Sequence, residues 1–197
     1  MSQRNSYTTA SRLDWNEGLM LVHRLYRDKE YRWSLFVGCG IFFGLRVSDL
    51  RSLTWEMLSG ESFTLNEKKT KKRRTITINS QFRQHIKDCH DALGITNDCE
   101  YCFLSKKKVV YSTQRINVKL KYFKVKYGID SAENFSCHSL RKCFGFKIWS
   151  EASKKGDGEK ALILLQDLLN HHSISTTKIY LGIRQSEMAN AYEMLHF

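Results

Sequence analysis

The 197-residue sequence predicts an α+β fold, mainly α, with one small antiparallel hairpin. Three observations predict it. Apolar residues recur at helical spacing through most of the chain. The period changes once to alternation, in SFTLNEKKTKKRRTITIN (62–79), where Ile76 and Ile78 alternate with Thr75 and Thr77. No residue is proline, and glycine follows several of the helical runs as a stop signal.

The elements follow in order. Residues 1–13 read as a loose lead. A helix is predicted over 14–28: Asp14 and Glu17 resemble a capping box, and Trp15, Leu19, Val22 and Tyr26 fall on one face. YRWSLFVGCGIFF (31–43) reads as a buried helix stopped by Gly44, and SDLRSLTWEML (48–58) as one short helix. Two β-prone arms around a basic tip make 62–79 a hairpin. SQFRQHIKDCHDALG (80–94) and STQRINVKLKYFKVKYG (112–128) are helices ended by glycine, the second strongly basic. Helices over 138–150, 159–170, 175–181 and 186–195 complete the chain. No repeat, linker or domain boundary interrupts it, so the expectation is a single domain over 1–197.

Lys and Arg number 32 against 20 Asp and Glu, a formal charge of +12. A basic domain of this size points to a polyanion, most often nucleic acid. The opening MSQRNSYTTASR holds no apolar signal segment, and the longest apolar run, LFVGCGIFFGL (35–45), is too short to span a bilayer. These features predict a cytoplasmic protein at the nucleoid, with no membrane partner and with its six cysteines as reduced thiols. His85, Cys89, Cys99 and Cys102 invite a zinc reading. Cys89 shares an apolar face with Phe82, Ile86 and Leu93, and Cys102 sits in the strand-like YCFL, so buried thiols are the better account and no metal is expected. SKKGDG (153–158) lacks the G-x-x-x-x-G-K-[ST] pattern of a phosphate loop, which removes nucleotide binding.

Chemistry is sought where polar residues interrupt apolar surroundings. Arg46 follows Gly44-Leu45 against an apolar wall; a buried arginine needs an anion, and Asp49 is a candidate to orient it or to be its whole explanation. His138 and Arg141 lie i, i+3 on one helix face. His171 ends the apolar run ALILLQDLLN, where it also complements the helix dipole; His172 beside it reads as exposed. In LNHHSISTTKIYLG (169–182), Tyr180 is either a buried aromatic or a nucleophile. Cationic forks that grip nonbridging oxygens suit a phosphoryl transition state. No paired carboxylates with metal-ligand spacing lie near them, so the pattern points to phosphoryl transfer with Tyr180 as the protein nucleophile.

Four segments resemble the tyrosine site-specific recombinases, or phage integrases, in the order that family has them: GLRVSDLRSLTW (44–55), EKKTKKRRTITI (67–78), HSLRKCFGFKIW (138–149) and LLNHHSISTTKIYLGI (168–183). The resemblance implies the catalytic-domain fold of that family over nearly the whole chain. It implies that Arg46 and Arg141 clamp the scissile phosphate, that His138 bonds at the phosphate and takes the tyrosine proton, and that His171 is a second phosphate ligand. Tyr180 would form a 3′-phosphotyrosine link, and Lys69 would protonate the leaving 5′-oxygen. It further implies that neither metal nor ATP is required. The partners would be double-stranded DNA and further copies of the chain, as dimers and a tetramer on DNA.

Lys69 fits the hairpin lysine best, with Lys68, Lys71 and Lys72 close by. Asn170 stands where many members have glycine, and Thr77 where proline is frequent. The N-terminal core-binding domain of most members has no counterpart here, which fits either a catalytic fragment or a naturally short recombinase. Lys68, Lys71, Lys72, Arg73 and Arg74 on the hairpin, with Lys119, Lys121 and Lys124 on the basic helix, are the expected phosphate contacts. The alternatives are a silent DNA-binding module, a type IB topoisomerase-like enzyme, and a basic RNA-binding protein. Only the last leaves the set of Arg46, His138, Arg141, His171 and Tyr180 unexplained.

Overall fold

The computed structural model describes residues 10–183. The predicted helix over 186–195 lies outside them. The described elements are α1 (Trp15–Arg27), α2 (Tyr31–Phe43), α3 (Val47–Leu50), α4 (Trp55–Ser59), β1 (Ser62–Asn66), β2 (Arg73–Thr77), α5 (Ser80–Leu93), α6 (Thr113–Tyr127), α7 (Cys137–Ser153), α8 (Gly158–Leu169) and α9 (Ile174–Leu181). This is the mainly helical fold with one small sheet that the sequence predicts. β1 and β2 pair antiparallel from Ser62↔Thr77 to Asn66↔Arg73.

α2 is the axis of the molecule. It is apolar around its whole circumference, so it has to be covered on all sides. α1, α5 and α7 cover it. Trp33, Leu35, Phe36, Val37, Ile41 and Phe43 are buried. Gly40 lets α7 come close: a Cβ there would collide with Leu140. Gly44 then ends the helix with φ 58°, a left-handed turn that suits glycine, and its N–H bonds back to the Gly40 carbonyl at 3.3 Å. A second, smaller cluster of Leu162, Leu165, Leu169, Leu181 and Ile183 joins α8 to α9, with Phe144, Phe146 and Trp149 of α7 packed on it.

Several elements differ from the sequence reading. The predicted helix over 48–58 is two short helices. Its middle is drawn into a β-type pairing with a distant segment: Cys102 N–H donates to the Leu53 carbonyl at 2.9 Å, and Trp55 N–H to the Glu100 carbonyl at 3.2 Å. Thr54 then caps α4 through the Met57 N–H. The strand-like YCFL accordingly forms only isolated bridges, Thr54↔Tyr101 and Leu104↔Val110. At α1, Asp14 caps as expected, accepting from the Asn16 and Glu17 N–H groups. Glu17 does not close the box; its carboxylate takes the N–H groups of Asp130 and Ser131, tying α1 to the loop after α6. The buried stripe of α1 is Gly18, Leu21, Val22 and Leu25, with Trp15, Leu19 and Tyr26 at its margin. α7 starts one residue earlier than expected and ends three later, and the Ser139 hydroxyl, accepting from the Ser136 N–H at 3.1 Å, fixes its start.

Candidate active site

Two helix ends meet at the site. The last carbonyls of a helix have no partner within it and carry the negative end of its dipole, so they attract cations. α2 ends at Phe43 and Gly44, and α8 ends at Leu168 and Leu169. Three guanidinium groups fill the space between these ends. Arg141, one turn into α7 and 5% exposed, donates to the carbonyls of Gly44 and, at 2.8 Å, of Leu169. Arg46, at the N-cap of α3, donates to the same Leu169 carbonyl at 3.1 Å. Arg74, on β2, donates to the Leu168 carbonyl at 3.2 Å and to Phe43 at 3.1 Å.

Three cations this close repel one another and need a compensating anion. Glu67 supplies it. The residue is only 3% exposed. Its Oε2 accepts from Arg46 Nη1 at 2.6 Å and from the Thr70 hydroxyl at 2.7 Å, and Oε1 is 3.8 Å from Arg74 Nη1. Burial raises the carboxyl's pKa, but the Thr70 hydrogen bond and the Arg46 charge outweigh it, and the net shift is downward. Burial, opposed by Tyr180 and reinforced by the neighbouring arginines, lowers the Arg141 pKa to about 10, which leaves it charged at neutral pH.

Asp49, the sequence candidate for orienting Arg46, does something else. It is buried, and its Oδ1 accepts from the Lys68 backbone N–H at 2.9 Å, holding the hairpin tip. Glu67 escaped the sequence reading because EKKTKKRR looks like a solvated charge run. The signal was there: Phe63, Leu65 and Glu67 continue one alternating face of β1, and that face points inward.

Tyr180 packs as the aromatic reading expects. Its ring packs against the α8–α9 cluster, and it meets the His171 ring edge-on at 5.0 Å. Its hydroxyl is buried and has no hydrogen-bond partner among the described residues. Burial raises the phenol pKa to about 12, with the charge of Arg141 as the main opposing influence. Lys142 Nζ stands 5.2 Å over the ring and donates to the Ala10 carbonyl at 2.7 Å.

Asn170, in a left-handed conformation (φ 50°), ends α8 and turns His171 toward the arginines. Asparagine tolerates this conformation, which accounts for its standing where glycine is common. The Thr177 hydroxyl donates to the Ser173 carbonyl at 3.3 Å, so its oxygen accepts from His171 Nδ1–H at 3.1 Å. That sets the proton on Nδ1 and leaves Nε2 as an acceptor in the neutral ring. Burial, then Arg141 and Arg46, lowers the His171 pKa to about 4. His138 stands at the exposed rim on the turn that carries Arg141; partial desolvation, then Arg141 and Lys142, lowers its pKa.

The structure thus gathers Arg46, Arg141, His171 and Tyr180, with His138 at the edge. Lys69 is exposed at the hairpin tip, without a hydrogen bond among the described residues, whereas Lys72 Nζ is 3.1 Å from Asn170 Oδ1. Lys68, Lys71 and Arg73 are exposed on the same hairpin. Arg74 is a correction. Its fork is occupied inside the protein by Leu168, Phe43 and Glu67, so it is not a surface phosphate contact. On α6, Lys121 is exposed, while Lys119 pairs with Glu30 at 3.2 Å and Lys124 donates to the Glu133 carbonyl at 2.8 Å. The residues weighed for zinc do not converge. His85 Nε2 bonds Ser34 and lies 3.5 Å from Cys89, and the exposed Cys99 lies 4.0 Å from Glu56.

The model of the phage integrase family matches residues 12–187. The chain belongs to that family. This integrase-family chain is 28% identical over 159 residues to the probable integrase/recombinase YoeC of Bacillus subtilis, covering 79% of this chain and 80% of that protein. It is 28% identical over 176 residues to the tyrosine recombinase XerC of Caldanaerobacter subterraneus, covering 84% of this chain and 44% of XerC. To the tyrosine recombinase XerD of Haemophilus ducreyi it is 27% identical over 158 residues, 78% of this chain and 50% of XerD. The chain therefore spans about half the length of these Xer relatives. Among solved structures, XerA recombinase superposes with a TM-score of 0.69 at 22% identity, covering 94% of this chain and 66% of that one. XerH bound to its difH substrate gives 0.63 at 21% identity, covering 92% and 53%. These likenesses show the fold, a tyrosine-recombinase catalytic domain. No helix among the described residues is long and apolar enough to cross a membrane.

Proposed function

We propose that this chain is a site-specific DNA recombinase that cuts and rejoins double-stranded DNA through a 3′-phosphotyrosine link. The observation that carries the reading is the Tyr180 hydroxyl, buried near the Arg141 guanidinium and the His171 ring and without a hydrogen bond of ordinary geometry among the described residues. A buried polar group left unpaired is costly, and such groups mark sites where a ligand completes the set. A scissile phosphate entering here would meet the unused N–H groups of Arg46 and Arg141. Each guanidinium has five donors, and the carbonyls and Glu67 hold each fork while leaving further N–H groups for oxygen.

Tyr180 Oη attacks phosphorus and the bond to the 5′-oxygen breaks. The phenolic proton passes to His138, whose lowered pKa leaves the ring neutral near pH 7 and so open to a proton. Lys69 gives its proton to the departing 5′-oxygen. His171, protonated at Nε2 once the phosphate offsets the arginine charges, stands as the second ligand to the phosphate. The reverse step, with a 5′-hydroxyl of the other strand as nucleophile, restores the backbone. The phosphotyrosine bond keeps the energy of the phosphodiester, so religation takes no ATP. Lys68, Lys71, Lys72 and Arg73 on the hairpin and Lys119, Lys121 and Lys124 on α6 are the proposed backbone contacts, and strand exchange implies dimers and a tetramer on DNA. The lambda integrase structure that superposes at a TM-score of 0.63 is a dimer bound to a COC′ core site, which supports that partner.

Covalent trapping tests the reading. The full chain is mixed with nicked duplexes from the DNA flanking its own gene and run on a denaturing gel beside Tyr180→Phe. A shifted band lost in the variant supports the assignment; salt-sensitive binding with no band would sink it in favour of a silent DNA-binding domain.

A further inference from the structure

We infer that Glu67 and Thr70 are positioning residues that lock the lysine-bearing tip of the hairpin to Arg46, so that proton donor and clamp address one phosphate. The inference rests on the recombinase reading above. It starts from the path of the chain between β1 and β2. The Glu67 N–H donates to the Lys72 carbonyl at 2.9 Å, and the Lys71 N–H donates to the Glu67 carbonyl at 2.8 Å, which closes the tip on itself. The Lys68 N–H is held by Asp49 at 2.9 Å. Thr70 Oγ1 donates at 2.7 Å to the same Glu67 oxygen that takes Arg46 at 2.6 Å. Lys69 is thus flanked on both sides by anchored residues, while its own ammonium is uncommitted among the described residues.

That is a fixed backbone carrying a free donor, the arrangement a general acid needs when it must reach one oxygen in the transition state. Without the Glu67 bridge, a tip with four lysines would repel itself and the arginines behind it. A carboxylate only 3% exposed in the middle of a basic run is also a poor choice for packing alone, since a buried charge needs partners in place before it is tolerated. Glu67 has them on both sides, one on the clamp and one on the tip.

The test removes the tether with the least disturbance. Thr70→Val keeps the shape and deletes the hydroxyl; Thr70→Ser keeps the hydroxyl. The scissile phosphate is first located from the strand that the wild-type chain joins to Tyr180. Single-turnover formation of the covalent complex is then measured on ordinary DNA and on DNA with sulfur in place of the bridging 5′-oxygen, whose thiolate leaves without a proton. On ordinary DNA, Thr70→Val is expected to slow by about 10-fold or more, toward the 10²–10⁴-fold worth of a general acid, and Thr70→Ser to match wild type. On the sulfur-bridged DNA, Thr70→Val is expected within about twofold of wild type, because the only step it impairs is no longer needed. Wild-type rates for Thr70→Val on ordinary DNA would overturn the inference, as would a defect that sulfur does not repair. A wild-type chain that forms no covalent complex on either DNA would overturn the recombinase reading itself.

Discussion

Arg46 and Arg141 donate to one acceptor, the Leu169 carbonyl, at 3.1 and 2.8 Å. They are 95 positions apart and belong to different helices, and the open end of α8 brings them together. A shared anchor makes the two forks one unit. Replacing either by lysine keeps a charge but loses the planar geometry. Arg46→Lys and Arg141→Lys are each expected to slow covalent-complex formation by about 10²–10³-fold, the usual worth of one oxyanion donor. The double variant is expected to fall well short of the product, because groups that act together do not add. Single-turnover rates for the three proteins check this; full additivity would mean the forks act separately.

The Tyr180 hydroxyl is expected to lower stability while serving the reaction. It is buried and unpaired among the described residues, so its removal relieves a desolvation cost. Tyr180→Phe should abolish the covalent complex and leave the domain as stable or more stable, by about 1 kcal/mol. Thermal melting in parallel with trapping reads both. A variant that melts markedly lower would show that the hydroxyl has a partner in solution.

Much of this site was legible in the sequence, and the remainder was hidden for identifiable reasons. Arg46, Arg141, His171 and Tyr180 each interrupt an apolar pattern, and an interruption can be seen locally. Glu67 interrupts nothing, being one charge in a charged run, and only the β1 alternation points it inward. The break between α3 and α4 depends on Glu100–Cys102, which lie nearly fifty positions away, so no local signal marks it. The hairpin was plain from its alternation, yet the depth of Arg74 was not, because its acceptors are carbonyls at the ends of α2 and α8.

His171 links the site to pH. Its pKa near 4 lies below the ordinary value of 6.5, so the folded state takes up this proton less readily than the unfolded chain. The neutral ring therefore contributes stability that is present above about pH 6.5 and is lost as pH falls toward 4. Two of the three causes that follow burial are the cations Arg141 and Arg46, and a bound phosphate would offset them. The His171 ring-proton NMR titration is expected near 4 in the free protein and well above it with DNA or inorganic phosphate. A midpoint unmoved by either would remove His171 from the phosphate's surroundings.

Arg73 and Arg74 are neighbours in sequence with opposite surroundings, and one pair of variants separates their roles. Arg73 is exposed, so Arg73→Ala is expected to change stability by no more than about 0.5 kcal/mol. If Arg73 contacts a phosphate, the salt dependence of DNA binding should become shallower by about 0.9 log unit per log unit of salt. Arg74→Met fills much of the same space but leaves the Leu168 and Phe43 carbonyls without their donor and takes one cation from Glu67. It is expected to cost about 3 kcal/mol, as for a broken interior ion pair, with little change in the salt slope. Chemical denaturation gives the first quantity and a binding titration across salt concentrations the second. A steep loss of salt dependence in Arg74→Met at unchanged stability would return Arg74 to the DNA surface and make the interior geometry the part to revise.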